Sequence, residues 1–219
     1  MINLEQELEA DINWRLGEIS ALKTIPFRYS FLSKDKDLLI KYAIPAIYSL
    51  WEGFVVTSFQ LYVRELNQLT LKSKEISLIL LTHAIDNNEK LDLRRSLVQM
   101  KDKVEFVELL SQFIESPIHI NPKIPTKSNV TFNTLNNILL RFGLATMPEK
   151  PFRKKLDKLL LFRNAISHGE KSLPTKVEHI EEFSNTVIDL MSETAIKISD
   201  GYRHKSFLSL TKKDSSYFI

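Results

Sequence analysis

Apolar residues recur along this chain at intervals of three and four, the spacing that gathers them on one face of an α-helix. Leu4, Leu8, Ile12, Leu16 and Ile19 mark a first helix that ends before Pro26. A long helix is expected from about Asp37 to Leu71. Its stripe runs through Ile40, Ile44, Ile47, Trp51, Phe54, Leu61 and Leu69, with Pro45 as the point where it would kink. Lys74 to Ala84 reads as a short apolar helix, and Lys90 to Ile114 as a longer one carried by Leu93, Leu97, Val104, Val107 and Leu110. Pro117, Pro122 and Pro125 mark a loop. Thr131 to Phe142 forms the next helix, capped at Asn129 or Thr131 and stopped by Gly143. Pro151 opens a helix that runs into Arg163 and His168. Pro174 then breaks the chain, and Val177 to about Asp200 forms the last helix, with Val187, Leu190, Met191, Thr194 and Ile198 on its apolar side. Trp14 and Trp51 fall at helical spacing and read as core.

The sequence shows no strand pattern and no internal repeat, so the expected fold class is all-α. The pattern describes one domain over residues 1–200, with a helical pair inserted around residues 72–128 as an embellishment. Residues 201–219 mix basic and aromatic side chains, a pattern compatible with a tail, a partner-binding strand or an extra packing segment.

Composition narrows the chemistry. The absence of cysteine excludes disulfides, thiol nucleophiles and zinc–thiolate sites, and the five histidines show no metal-ligand spacing. No cofactor is expected. The chain carries a net charge of +3, which permits a nucleic-acid partner without requiring one. The acidic start MINLEQELEADIN does not resemble a signal peptide, and the expected location is cytoplasmic. Tyr42 to Val63 holds a single charge, Glu52, and is long enough to span a bilayer. Its polar residues and that central carboxylate instead suit the core helix of a bundle, with no membrane involved.

The chemistry-bearing stretch is LLLFRNAISHGEKSLP, residues 159–174, where an apolar run carries Arg163, Asn164 and His168 and then meets Gly169. An Arg followed by a His five positions later is by itself weak evidence. Around it, Lys150 to Lys176 contains eight Lys or Arg residues against Asp157 and Glu170. Such a run either attracts an RNA backbone or is a solvated helix face, and Glu178, Glu181 and Glu182 follow it directly.

RNAISHG resembles the signature of HEPN domains (higher eukaryote and prokaryote nucleotide-binding), helical modules of which many are metal-independent ribonucleases. IYSLWEGFVV and SNVTFNTLNNILLRFGL are similar to segments of the MAE-type branch of that family. Together these stretches cover the chain from about residue 40 to residue 190. The resemblance implies a HEPN-like helical bundle with additional inserted helices. It also implies a homodimer in which the Arg–His segments of two protomers face one cleft, RNA as substrate, and an antitoxin or neighbouring regulatory protein. It carries the catalytic roles onto Arg163 and His168. One branch has a tyrosine two positions after the histidine that a partner enzyme modifies, and this chain has Glu170 there.

Cleavage of RNA without a metal needs a base for the 2′-hydroxyl, an acid for the leaving 5′-oxygen, and positive charge at the phosphorus. Histidine and arginine supply these functions. One histidine per chain is short of an acid–base pair, and a symmetric dimer supplies two. Asn164 is a candidate for binding the scissile phosphate or for holding Arg163 in position, and Lys155 and Lys158 are candidates for binding substrate. Glu52 is a candidate for orienting Arg163, because a carboxylate on a largely buried helix needs a partner. The alternatives are a non-catalytic module that binds RNA or nucleotide through the same cleft, and a helical interaction protein in which Arg163 and His168 are structural.

Overall fold

The computed structural model describes residues 3–88, 91, 98–124, 126, 129–170 and 173–209. Among these residues there are seven α-helices: α1 (Leu4–Arg28), α2 (Ser33–Gln68), α3 (Leu78–Asp86), α4 (Met100–Glu115), α5 (Phe132–Arg141), α6 (Glu149–Ser167) and α7 (Val177–Arg203). A single 3₁₀ turn (Ser73–Glu75) precedes α3. Extended pairing among the described residues is confined to two isolated bridges, Lys72 with Pro117 and Ile76 with Leu208. The all-α reading therefore holds.

α2 is the axis of the bundle. Trp51, Phe54, Phe59 and Tyr62 are fully buried along it, and α1, α6 and α7 pack around it. It is long and apolar enough to cross a membrane by length and composition, but its apolar side chains are the centre of the protein core. α1 runs antiparallel to α2: Glu7 meets Arg64, Arg15 meets Leu50, and Phe27 meets Lys36. α7 runs parallel to α2, with Tyr202 against Tyr62. α6 folds back along α7, with Lys158 on Glu182 and Phe162 on His179. The C-terminal end of α6 therefore lies at the same end of the bundle as the corner between α1 and α2.

The described residues between 72 and 124 gather at the opposite end. Asn67 clamps the returning chain by donating to the Ile120 carbonyl and accepting from the Ile120 N–H. α3 packs on the end of α5, with Asp86 on Arg141 and His83 against Phe142. Gly201 to Ser209 complete this end. Phe207 is buried, and Ser209 donates its N–H to the Glu75 carbonyl. Residues 210–219 lie outside the described residues.

Helix ends follow local chemistry. Asn3 caps α1 through a reciprocal pair with Gln6, and Thr131 caps α5 by accepting from the Thr134 N–H. α5 stops at Gly143 (φ +67°), whose N–H bonds Leu140, while the N–H of Leu144 bonds Leu139. That is the paired C-terminal cap expected of a left-handed glycine.

Several boundaries and faces differ from the sequence expectation. α1 continues through Pro26 to Arg28, because a proline in the last turn forfeits only one helix hydrogen bond and its ring is buried. α2 starts at Ser33 and runs unbroken through Pro45. The helix expected over 74–84 is a 3₁₀ turn followed by α3, with Ser77 capping the latter. Of the helix expected over 90–114, Leu93 and Leu97 lie outside the described residues. Val104 and Val107 are exposed, since α4 presents no fully buried side chain. Trp14 is exposed, not core, and lies beside the Arg15 guanidinium.

Candidate functional site

α6 positions the Arg–His motif. Leu156, Leu159, Leu160, Phe162, Ala165 and Ile166 are buried and anchor the helix to α2 and α7. Arg163 is half-buried on the side turned to α2, and its guanidinium carbon lies 5.0 Å from the centre of the Tyr48 ring. One N–H of that guanidinium donates to Asn164 Oδ1 at 2.9 Å. The cation is therefore held by an aromatic face on one side and an amide on the other, with donors left over for a phosphate.

His168 is the residue that ends α6. Its N–H bonds the Asn164 carbonyl, Gly169 (φ +74°) bonds Ile166, and Glu170 bonds Ala165. The helix thus closes with the same paired cap as α5. His168 is exposed and stands one turn beyond Asn164, on the same face.

The four consecutive residues of the WEGF stretch serve four tasks. Trp51 is buried and donates to the Val130 carbonyl, at 3.5 Å. Phe54 stacks on Trp51. Gly53 makes room for Arg15, since a Cβ there would lie 2.8 Å from an Arg15 nitrogen. Arg15 is itself buried, ion-paired to Asp11 and donating to the Leu50 carbonyl. Glu52 faces Tyr48 and Arg163. Burial raises its pKa, opposed by the positive charge of Arg163 and by a hydrogen bond with Tyr48.

Tyr48 ties these parts together. Its hydroxyl accepts the Val130 N–H at 2.7 Å, and its ring carries Arg163. Burial, followed by the negative charge of Glu52, pushes its pKa up to about 12, so the hydroxyl stays protonated at neutral pH. Sequence reasoning missed Tyr48, although it lies one helical turn before Glu52, where a side chain on the same face belongs.

The two lysines diverge. Lys155 is exposed, two turns before Arg163 on α6. Lys158 sits about 140° around the helix from Arg163 and is held by Glu182 at 2.6 Å, so an acid of α7 already compensates its charge. Lys171, counted in the basic run, lies outside the described residues. His179 packs tilted against Phe162 and stacks on Phe183, and burial followed by nearby Lys158 lowers its pKa. Among the described residues, no three His, Asp or Glu side chains converge as metal ligands would.

An all-helical bundle that sets Arg-x4-His at the end of a core helix, against a tryptophan–glutamate segment of the central one, is the arrangement of a HEPN domain. The chain belongs to that family, in its MAE type: the family model described as HEPN_MAE_28990-like HEPN matches residues 4–207. No curated protein and no solved structure matches it significantly.

Proposed function

We propose that the protein is a metal-independent endoribonuclease, active in the cytoplasm as a homodimer. The observation that carries this reading is the division of labour on α6: a half-buried Arg163, seated on Tyr48 and Asn164, beside an exposed His168 fixed by the helix cap. His168 takes the proton of the 2′-hydroxyl, whose oxygen attacks the phosphorus. The bond from phosphorus to the 5′-oxygen breaks, and the partner protomer's copy of this histidine, in its protonated form, gives its proton to that oxygen. Arg163 binds the phosphate oxygens as charge builds on them. The products are a 2′,3′-cyclic phosphate and a 5′-hydroxyl, and DNA is not cut because it lacks the nucleophile. Asn164 orients Arg163, Glu52 acts behind it through Tyr48, and Lys155 contacts the backbone of the bound RNA.

The outward face of α6 supports a dimer. Lys150, Lys154, Asp157, Leu161, Asn164 and His168 recur at intervals of four and three, and Leu161 is 58% exposed. A second copy of α6 packed on this seam would cover Leu161 and bring two His168 side chains to one cleft. A toxin or defence role, restrained by an antitoxin or a neighbouring protein, is the setting that family membership favours.

The test is incubation of a mixed RNA pool in EDTA with wild type and with His168→Ala, followed by end-group analysis. Cutting by wild type alone, leaving cyclic phosphate, is the expected result. Binding without cutting by either protein would replace the enzyme with a non-catalytic RNA-binding module. Neither binding nor cutting would leave a helical interaction protein.

A further inference from the structure

The corner between α1 and α2 has a surface that the bundle does not use. Tyr29 is 66% exposed, and Phe27, Phe31 and Tyr42 are also exposed. Tyr29 and Phe31 meet edge to face, with centroids 5.7 Å apart. Lys23, Arg28, Lys34, Lys36 and Lys41 lie in the same stretch against only Asp35 and Asp37. Among the described residues none of these five cations forms an ion pair. Two sit over rings instead, Lys36 over Phe27 at 4.3 Å and Lys41 over Tyr42 at 5.8 Å. The opposite end of the bundle contrasts with this, because there Arg64 and Arg203 are both paired with glutamates.

We propose that this corner is a landing surface for single-stranded RNA, on which bases stack on Tyr29 and Phe31 while Lys34, Lys36 and Lys41 bind the backbone. The proposal rests on the ribonuclease reading, to which it adds the form of the substrate and its path. Three observations select this occupant. Cations interleaved with exposed rings match a flexible polyanion whose bases are free to stack, which a duplex does not offer. The corner is at the same end of the bundle as His168, because α6 runs antiparallel to α2. Lys34, Lys41 and Glu52, each at least partly exposed, also fall on one side of α2, over a rise of about 27 Å from Lys34 to Glu52, so one face of that helix leads from the corner toward the site. A second copy of the chain is a poor occupant, since a two-fold contact here would set the lysines against themselves.

The test uses the intact protein and a fluorescent 20-nucleotide RNA carrying 2′-O-methyl groups, which lacks the attacking hydroxyl and so reports binding alone. Tyr29→Ala with Phe31→Ala should weaken binding about tenfold. Lys34→Gln, Lys36→Gln and Lys41→Gln together should make the slope of log affinity against log salt about two units shallower. A duplex of the same strand should bind more weakly and be insensitive to the aromatic changes. Binding by wild type that neither variant alters overturns the proposal and leaves the ribonuclease reading intact, since His168-dependent cutting is measured separately. Loss of the dimer in the aromatic variant with unchanged RNA affinity, or binding of wild type to vesicles containing phosphatidylserine in preference to RNA, also overturns it. All five side chains are at least partly exposed, so melting temperatures within a few degrees of wild type are expected and exclude unfolding as the cause.

Discussion

The Arg163 guanidinium lies 5.0 Å from the centre of the Tyr48 ring, and the Tyr48 hydroxyl is fixed by the Val130 N–H. The position of the cation is therefore set by the chain entering α5 as well as by its own helix. Tyr48→Phe keeps the ring and loses the acceptor, leaving the buried Val130 N–H unpaired at a cost of about 1–3 kcal/mol. Tyr48→Leu also removes the aromatic face. We expect RNA cleavage to fall by about fivefold to tenfold more in Tyr48→Leu than in Tyr48→Phe. Initial rates and melting curves of the two variants, measured side by side, check both effects.

The proposed role of Glu52 comes at some expense to stability. Because burial raises its pKa, the folded protein binds that proton more tightly than the unfolded chain does. The cost of ionisation is absent below the ordinary value of 4.5 and complete once the pH exceeds the raised one. Glu52→Gln should gain stability relative to wild type as the pH rises from 4 to 7, while cleavage falls about tenfold through looser support of Arg163. Melting temperature against pH decides the sign. A wild type that gains on the variant with rising pH would mean that the attraction to Arg163 outweighs burial.

Arg15 and Gly53 should behave as a coupled pair. In a helix interior, Gly→Ala ordinarily gains about 1 kcal/mol. At Gly53 the new Cβ meets Nη1 of Arg15, which donates to the Leu50 carbonyl while Nε and Nη2 of the same guanidinium are held by Asp11, so Gly53→Ala should destabilise the protein. With Arg15→Met already present, the same change should stabilise by up to about 1 kcal/mol. Denaturant unfolding of the two single variants and the double variant gives the coupling directly.

His83 predicts acid sensitivity at the other end of the bundle. Burial, and then the nearby Arg141, lowers its pKa to about 4 from an ordinary 6.5. The unfolded chain therefore takes up a proton that the folded one refuses. Stability contributed above pH 6.5 is lost as the pH falls toward 4, by up to about 3 kcal/mol. His83→Leu should flatten the stability profile over that interval. An unchanged slope would locate the acid sensitivity elsewhere.

Periodicity and punctuation were enough to place the helices of the core. Thr131 and Gly143 bound α5 because their local chemistry fixes a helix end whatever surrounds it. Pro26 misled because a proline costs little in a last turn, and sequence alone does not show which turn is last. α4 was legible as an amphipathic helix, but amphipathy does not say whether anything covers the apolar side, and within the chain Val104 and Val107 stay uncovered. In the site, Arg163 and His168 were visible through their motif, whereas Tyr48 looked like any core aromatic. Arg15 left one trace: in the run Leu8, Ile12, Arg15, Ile19 a cation occupies a place that the spacing reserves for an apolar side chain.

The cap that ends α6 concentrates the placement of His168 in one backbone torsion. Gly169 holds φ at +74°, and a side chain there would touch no neighbour within 4 Å. Gly169→Ala would therefore act only by disfavouring the left-handed turn, at about 1–2 kcal/mol, with every side chain of the proposed site left in place. Such a position is a dial and not a switch: a succession of residues with graded tolerance for that torsion, asparagine before alanine before valine, should tune the output of the cleft in steps. An organism or an experimenter could use it to attenuate the protein without dismantling it.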